Sequence, residues 1–362
     1  MAEGVTVSTR DLTPMPRPAV QPWRVPNPKR NLKVALASVV PMLVALTLTW
    51  LFNIDGAIGL ILIFLPLQVV ASVWVGRHLY GKKGQSDALL VVFTIFFSAF
   101  VAVLLVSVIW SVAEAGLKAM SWQFVSQNNV YISATTSLEY GGVGHAILGT
   151  LLIVGLTTLV TVPLGVLVAV YLTETRDKTR SSFRTLIQAM SGLPSVVAGL
   201  FVYSALIVGG GLKYAGWLGS LALLPLMLPT VARVAEEALR LVPVELRNGA
   251  LALGAPSYRA FLLVTLPAAR SGLITAIILG VARVIGETAP LLLTVNNANV
   301  TQLDMTQSMA SLPTYIYQFI ANTYDTSVQR AWGAALMVLF LVTVLFTLAR
   351  VVSRGKLGAK RK

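Results

Sequence analysis

The sequence predicts an all-α polytopic membrane protein. Three observations carry the prediction. Of 362 residues, 56% are hydrophobic and only 12% are charged, against roughly 25% charged in a soluble domain. Apolar runs of about 20 residues, the length that crosses a bilayer, recur along the chain. Those runs are continuous, which excludes a transmembrane barrel, whose strands alternate apolar and polar residues over about ten positions. Cysteine is absent, so disulfide scaffolds, thiolate zinc sites and cysteine nucleophiles are excluded. The two histidines, His78 and His145, share no metal-ligand spacing, and no metal is expected.

Taken in order, residues 1–32 hold six prolines and little that packs, and read as a disordered cytoplasmic tail. Runs at 34–52 and 56–76 form a tight hairpin around "NIDGA". The first run lies too far from the start, and lacks a small-residue cleavage site, to be a removed signal peptide. A third span is expected at 88–113. Polar residues from about 114 to 145 then form an external loop or short helix. Further spans are expected at 146–172, 186–208, 216–232, 272–294 and 331–350, the fifth and sixth interrupted by Pro194, Pro225 and Pro229. Eight spans fit these runs best, with seven or nine as the alternatives.

Basic residues orient them. Six precede the first span (Arg10, Arg17, Arg24, Lys29, Arg30, Lys33) and six lie at or beyond the end of the last, from Arg350 onward. Others cluster after the second and fourth spans and between the sixth and seventh, while the alternate loops hold only Lys118, Lys213 and Arg330. Loops rich in Lys and Arg are cytoplasmic, so both termini are expected inside a cell. The net charge of +14 then records topology, with some juxtamembrane lipid contact, rather than a nucleic-acid partner.

Two stretches carry chemistry. The first is the long hydrophilic loop at about 233–271. Val242, Leu246, Ala250, Leu251 and Leu253 recur at helical spacing. Gly254 follows as a left-handed C-cap, and a second short helix runs from about Pro256 to Thr265. Two amphipathic helices joined at a glycine could be a surface connector or a docking element. The second stretch is "GVARVIGETAPLLLT", residues 280–294. Arg283 and Glu287 are the only charges between Ser271 and Asp304, and a charge at mid-bilayer costs roughly 2.5–3.5 kcal/mol on insertion scales. On a helix the two would share a face. Pro290 would leave the Gly286 carbonyl free beside them. The pair could lock neighbouring helices or line a pathway.

The loop resembles the EAA loop of ABC importer permeases: Asn248-Gly249-Ala250, then Gly254, Val264, Leu266 and Pro267 keep every spacing of that pattern. Asn248 and Gly249 stand where the family has Glu and Ala, removing one possible ion pair, and Glu245 lies one turn earlier. "ARVIGETAPLLLT", "GLPSVVAGLFVY", "SLPTYIYQ" and the stretch 141–174 resemble PstA, the membrane-subunit family of phosphate-specific ABC importers. The resemblance implies a type I importer core of six helices over 81–352, with the hairpin at 33–80 as an addition and 353–362 as a basic cytoplasmic tail. It implies a pathway including Arg283, Gly286, Glu287, Thr288, Pro290 and Ser195, and an ATPase contact through Glu245, Asn248, Gly249, Ala250, Gly254, Val264, Leu266 and Pro267. It also implies a PstC-like second permease, a PstB-like ATPase dimer and a PstS-like external phosphate-binding protein, in the plasma membrane of a prokaryote. ATP and magnesium would belong to the ATPase, not to this chain. The nearest approach to a phosphate-binding loop, Gly76–Lys83, has Lys83 where that loop needs Ser or Thr.

A guanidinium suits such an anion because it binds oxyanions bidentately, and a carboxylate accepts the proton that phosphate keeps and sulfate lacks. Permeases for other oxyanions and a proton-coupled carrier using Glu287 are the alternatives. A membrane enzyme is disfavoured by the lack of clustered catalytic residues.

Overall fold

The computed structural model describes residues 28–175 and 177–354. Its regular elements are all helices, with no strand among the described residues. By internal contacts it forms two units, Met1–Ser107 and Val108–Lys362.

In the first unit, α1 (Pro28–Leu51) is the first expected span. Its start lies inside the expected tail 1–32, of which residues 1–27 lie outside the described residues, as do 355–362 of the expected basic tail. α2 (56–80) contains a π-helical turn at Leu60–Phe64. α3 (82–117) follows without an intervening loop, but the helical stretch breaks at Gly81, with φ +69 and ψ −151. A Cβ placed on Gly76 would lie 2.4 Å from the Gly84 carbonyl oxygen. Eight helical residues would hold those groups about 12 Å apart, so the chain reverses at Gly81. The 58-residue apolar stretch Leu60–Leu117 is therefore two antiparallel spans. The left-handed φ at the reversal is one that glycine adopts at little cost.

In the second unit, a short helix α4 (Trp122–Ser126) is capped by Ser121, whose hydroxyl accepts from the Phe124 amide. α5 (Gly144–Glu174) then crosses as one 31-residue helix. The expected span 186–208 is divided: α6 (Thr179–Ser191) and α7 (Ser195–Val208) meet at 98°. Pro194 sits at the junction in an extended conformation, where its fixed φ and missing N–H end one helix and start another. α8 (Gly216–Arg240) accommodates Pro225 and Pro229 and runs on past the expected end at 232. The hydrophilic stretch at 233–271 yields α9 (Val244–Ala252) and α10 (Ser257–Ala268), which meets α11 (Arg270–Val284) at 67°. α12 (Ala289–Thr294), α13 (Leu312–Ile320) and α14 (Asp325–Arg354) complete the chain.

Among the described residues five helices are long and apolar enough to cross a membrane, or up to seven when each bent pair is one span. The reversal at Gly81 divides one of them again. The core of this unit is apolar and central. Ile153 and Val154 of α5, Leu223, Met227 and Val231 of α8, Val284 of α11 and Leu291 of α12 pack into one buried cluster. A second cluster joins Phe124 and Val143 to Tyr315, Phe319 and Ala334, holding α4, α13 and the start of α14 together.

Candidate functional site

The stretch 280–294 does not form the single helix expected from its hydropathy. α11 stops at Val284, residues 285–288 leave the helix, and α12 restarts at Ala289. Arg283 closes the last turn of one helix, and Glu287 lies in the break, its amide donating to the Val284 carbonyl at 3.2 Å. The two side chains do not pair; the ion pairs among the described residues lie elsewhere. Pro290 lies in the first turn of α12, where a missing N–H costs nothing, so it does not free a helical carbonyl at Gly286.

The break sorts its residues by exposure. Val284 and Ile285 are buried in the core cluster, while Arg283 and Gly286 are exposed and Glu287 and Thr288 half-buried. Arg283 Nε donates to the Leu226 carbonyl at 3.1 Å. That carbonyl neighbours the one at Pro225, whose helical donor would have been the N–H that Pro229 lacks. One of the five guanidinium N–H groups is thus engaged, fixing the side chain to α8. Its two Nη groups make no hydrogen bond to the described residues and remain available to an anion. Ser195 opens α7, one turn before Gly199. A Cβ on Gly199 would come within 2.5 Å of the Pro290 Cα, so only glycine lets α7 lie this close to α12. The fold thereby brings Ser195, Pro290 and the 283–288 break into one region built from α7, α8, α11 and α12.

The second candidate region is the α9–α10 hairpin, formed as the spacing suggested. Gly254 has φ +84, and the Ala255 amide donates to the Ala250 carbonyl at 3.1 Å while that of Gly254 donates to Leu251 at 2.9 Å. Those two bonds are a Schellman cap. α10 runs three residues beyond the expected stop at Thr265. It buries Ala260, Phe261 and Thr265, with Phe261 packed beside Ala169, Ala235 and Leu239 of α5 and α8. By contrast α9 buries no residue. Glu245, Asn248 and Gly249 are exposed, Ala250, Val264 and Leu266 half-buried, and Pro267 exposed. Leu246, Leu253 (91% exposed), Tyr258 and Leu263 add an apolar surface that this chain leaves uncovered. What holds α9 is Arg247, which clasps Glu174 at the end of α5 with both nitrogens, at 2.5 and 2.9 Å. Such bidentate pairs fix orientation as well as distance.

Sequence reading missed that clasp, and two further arrangements. Glu236 accepts from both Arg184 and Arg240 at 2.6 Å, fastening α6 to α8. The Glu236–Arg240 spacing was readable as a helical i,i+4 pair, but Arg184 lies 52 residues away. Arg330 was counted only as a loop charge, yet it is fully buried. Its Nη2 donates to the carbonyls of Ser137 and Tyr140 at 2.7 Å and Thr136 at 3.3 Å. Thr326 and Ser327 donate to the Ala134 carbonyl beside it. Nearby, burial pushes the Tyr315 hydroxyl up to about 12, so it stays protonated at neutral pH.

Residues 161–357 match the family model described as the binding-protein-dependent transport system inner membrane component. The chain belongs to that family. Among curated relatives of this permease, the phosphate transport system permease protein PstA 1 of Mycobacterium tuberculosis (strain H37Rv) is 39% identical over 70% of this chain and 83% of its own length. The PstA protein of Haemophilus influenzae is 36% identical over 66% of this chain and 84% of its own. In fold the permease is similar to a chain of a bacterial alginate ABC transporter crystallised with its pentasaccharide-bound periplasmic protein, at a TM-score of 0.52 and 16% identity, covering 76% of this chain and 98% of that one. The break at 285–288 and the α9–α10 hairpin both lie inside the family match. The permease is a multi-pass inner-membrane protein of the type I ABC importer fold.

Proposed function

We propose that this permease carries inorganic phosphate into the cell as one membrane subunit of an ABC importer. ATP hydrolysis occurs in a separate ATPase dimer that docks on the α9–α10 hairpin. A PstC-like permease completes the pathway, and a PstS-like binding protein delivers phosphate from outside. Both termini face the cytoplasm, as the Lys and Arg distribution supports. The reading goes with the names of its relatives, and one observation in the chain carries it. Arg283, a charge inside an apolar stretch, sits at a helix break with one nitrogen anchored to Leu226 and its Nη groups on an exposed face.

The chemistry then follows from the two side chains. A guanidinium already fixed at Nε presents a planar pair of donors, so an oxyanion arriving there loses little ordering entropy of the protein. Glu287 accepts the proton that phosphate keeps and repels a fully ionised sulfate. Because the pair does not bond to itself, neither charge must be pulled from the other when the anion arrives.

Uptake of labelled phosphate, normalised to assembled complex, tests this. Arg283→Gln should abolish uptake with assembly intact. Arg283→Lys should fail nearly as badly, since a point ammonium cannot make the two-bonded contact. Glu287→Gln should keep assembly and relax discrimination against sulfate. Robust uptake by a double Arg283→Leu, Glu287→Leu variant would sink the transport role of Arg283. Uptake that follows a proton gradient without ATP would replace the importer reading with a proton-coupled carrier.

A further inference from the structure

We propose that the groove between α1 and α2 seats one acyl chain of an anionic phospholipid, with its headgroup against Lys33 and His78. The groove has a volume of about 760 Å³ and lies wholly within the first unit. Val40 and Val44 of α1 and Val70 and Trp74 of α2 line its apolar length, and Lys33 and His78 close one end.

Three features select the occupant. The first is length. From Lys33 to Val44 the helix rises about 16 Å, roughly half of a ~30 Å hydrocarbon core, so the groove matches one leaflet and hence one lipid tail. The second is surroundings. Val40, Val70 and Trp74 are exposed on helices of spanning length and hydropathy, and an unfilled apolar groove there forfeits dispersion contacts that a chain of methylenes restores. The third is charge. Lys33 lines the groove's end, and the reversal at Gly81 adds Arg77, Lys82 and Lys83 against a single acid, Asp87. Basic residues at a membrane surface attract anionic lipid about fivefold each. Trp74 packs edge-on to the His78 ring at 4.7 Å, an amphipathic ring at the headgroup level. The basic end belongs to the cytoplasmic leaflet if the orientation proposed above holds, but the site itself does not depend on that orientation or on the substrate.

The intact complex in phosphatidylcholine vesicles tests this, with a trace of phosphatidylglycerol or phosphatidylcholine carrying a photoactivatable group midway along one chain. Labelled residues are mapped by mass spectrometry. Phosphatidylglycerol should label 33–44 and 67–79 about fivefold more than phosphatidylcholine does. Lys33→Glu should remove that preference, and Lys33→Gln should reduce it. Ala71→Trp, which fills the groove, should cut labelling of these stretches by both probes. Equal labelling by the two lipids, or a preference unchanged in Lys33→Glu, overturns the proposal. Protection of both stretches from both probes also overturns it, and shows a protein segment in the groove. Because the readout is labelling and not transport, failure here leaves the phosphate reading untouched.

Discussion

Arg330 shows how much one buried charge can organise. A guanidinium with no carboxylate partner in the described residues stays buried because three backbone carbonyls receive its Nη2 hydrogens. Those carbonyls come from a loop some 190 residues earlier in the chain, so Arg330 ties the loop at 134–140 to the start of α14. Removing it strands acceptors at about 1–3 kcal/mol each where they stay buried. Arg330→Gln should therefore lower the thermal stability of the purified complex by several degrees, and Arg330→Lys, with no planar fork to span the carbonyls, should fall between the two. A melting curve indistinguishable from wild type would show that water replaces the guanidinium. Arg283 was legible as a lone arginine in an apolar run. Its tether to Leu226 was not, because nothing local couples residues 57 apart.

At the scale of elements, the α9–α10 hairpin is a rigid unit with an uncovered surface. Gly254 is its most informative position. A Cβ there would meet nothing of this chain within 4 Å, yet its φ of +84 lies where side chains are strained. Gly254→Ala should thus cost about 1 kcal/mol of local strain and little else. Gly254→Asp carries the same strain, so any larger loss must come from a partner surface. We expect Gly254→Asp to insert normally but to lose ATPase copurification and uptake, with Gly254→Ala keeping most of both. Equal behaviour of the two variants would leave strain alone as the cause. Arg247→Ala should also weaken coupling, by freeing α9 from Glu174. The hairpin was readable from periodicity and one glycine because its geometry is local. The break at 285–288 was not, since hydropathy is continuous across it, and only packing of Val284, Ile285 and Leu291 against α8 and α5 sets where the helix stops.

For the whole molecule, the family match at 161–357 lies within the second unit. The chain reverses at Gly81, and contacts group most of α3 with α1 and α2. Deleting 1–80, with a cytoplasmic start kept before α3, should leave phosphate uptake per assembled complex substantially intact. A well-expressed truncation with no uptake would place the hairpin in the pathway or in an essential partner contact.

Composition and run length by themselves determined that this is a helical membrane protein, and motif spacing determined the α9–α10 hairpin and the two charges in the apolar run. These are properties of segments, set by burial of apolar side chains in lipid and by backbone chemistry at Gly and Pro. Tertiary structure alone decided that Arg283 and Glu287 form no ion pair, and that Glu174, Glu236 and Arg330 are anchors. The reason is physical. A hydrogen bond or ion pair between distant residues depends on how helices pack, and hydropathy along the chain is blind to which face of a helix meets which neighbour.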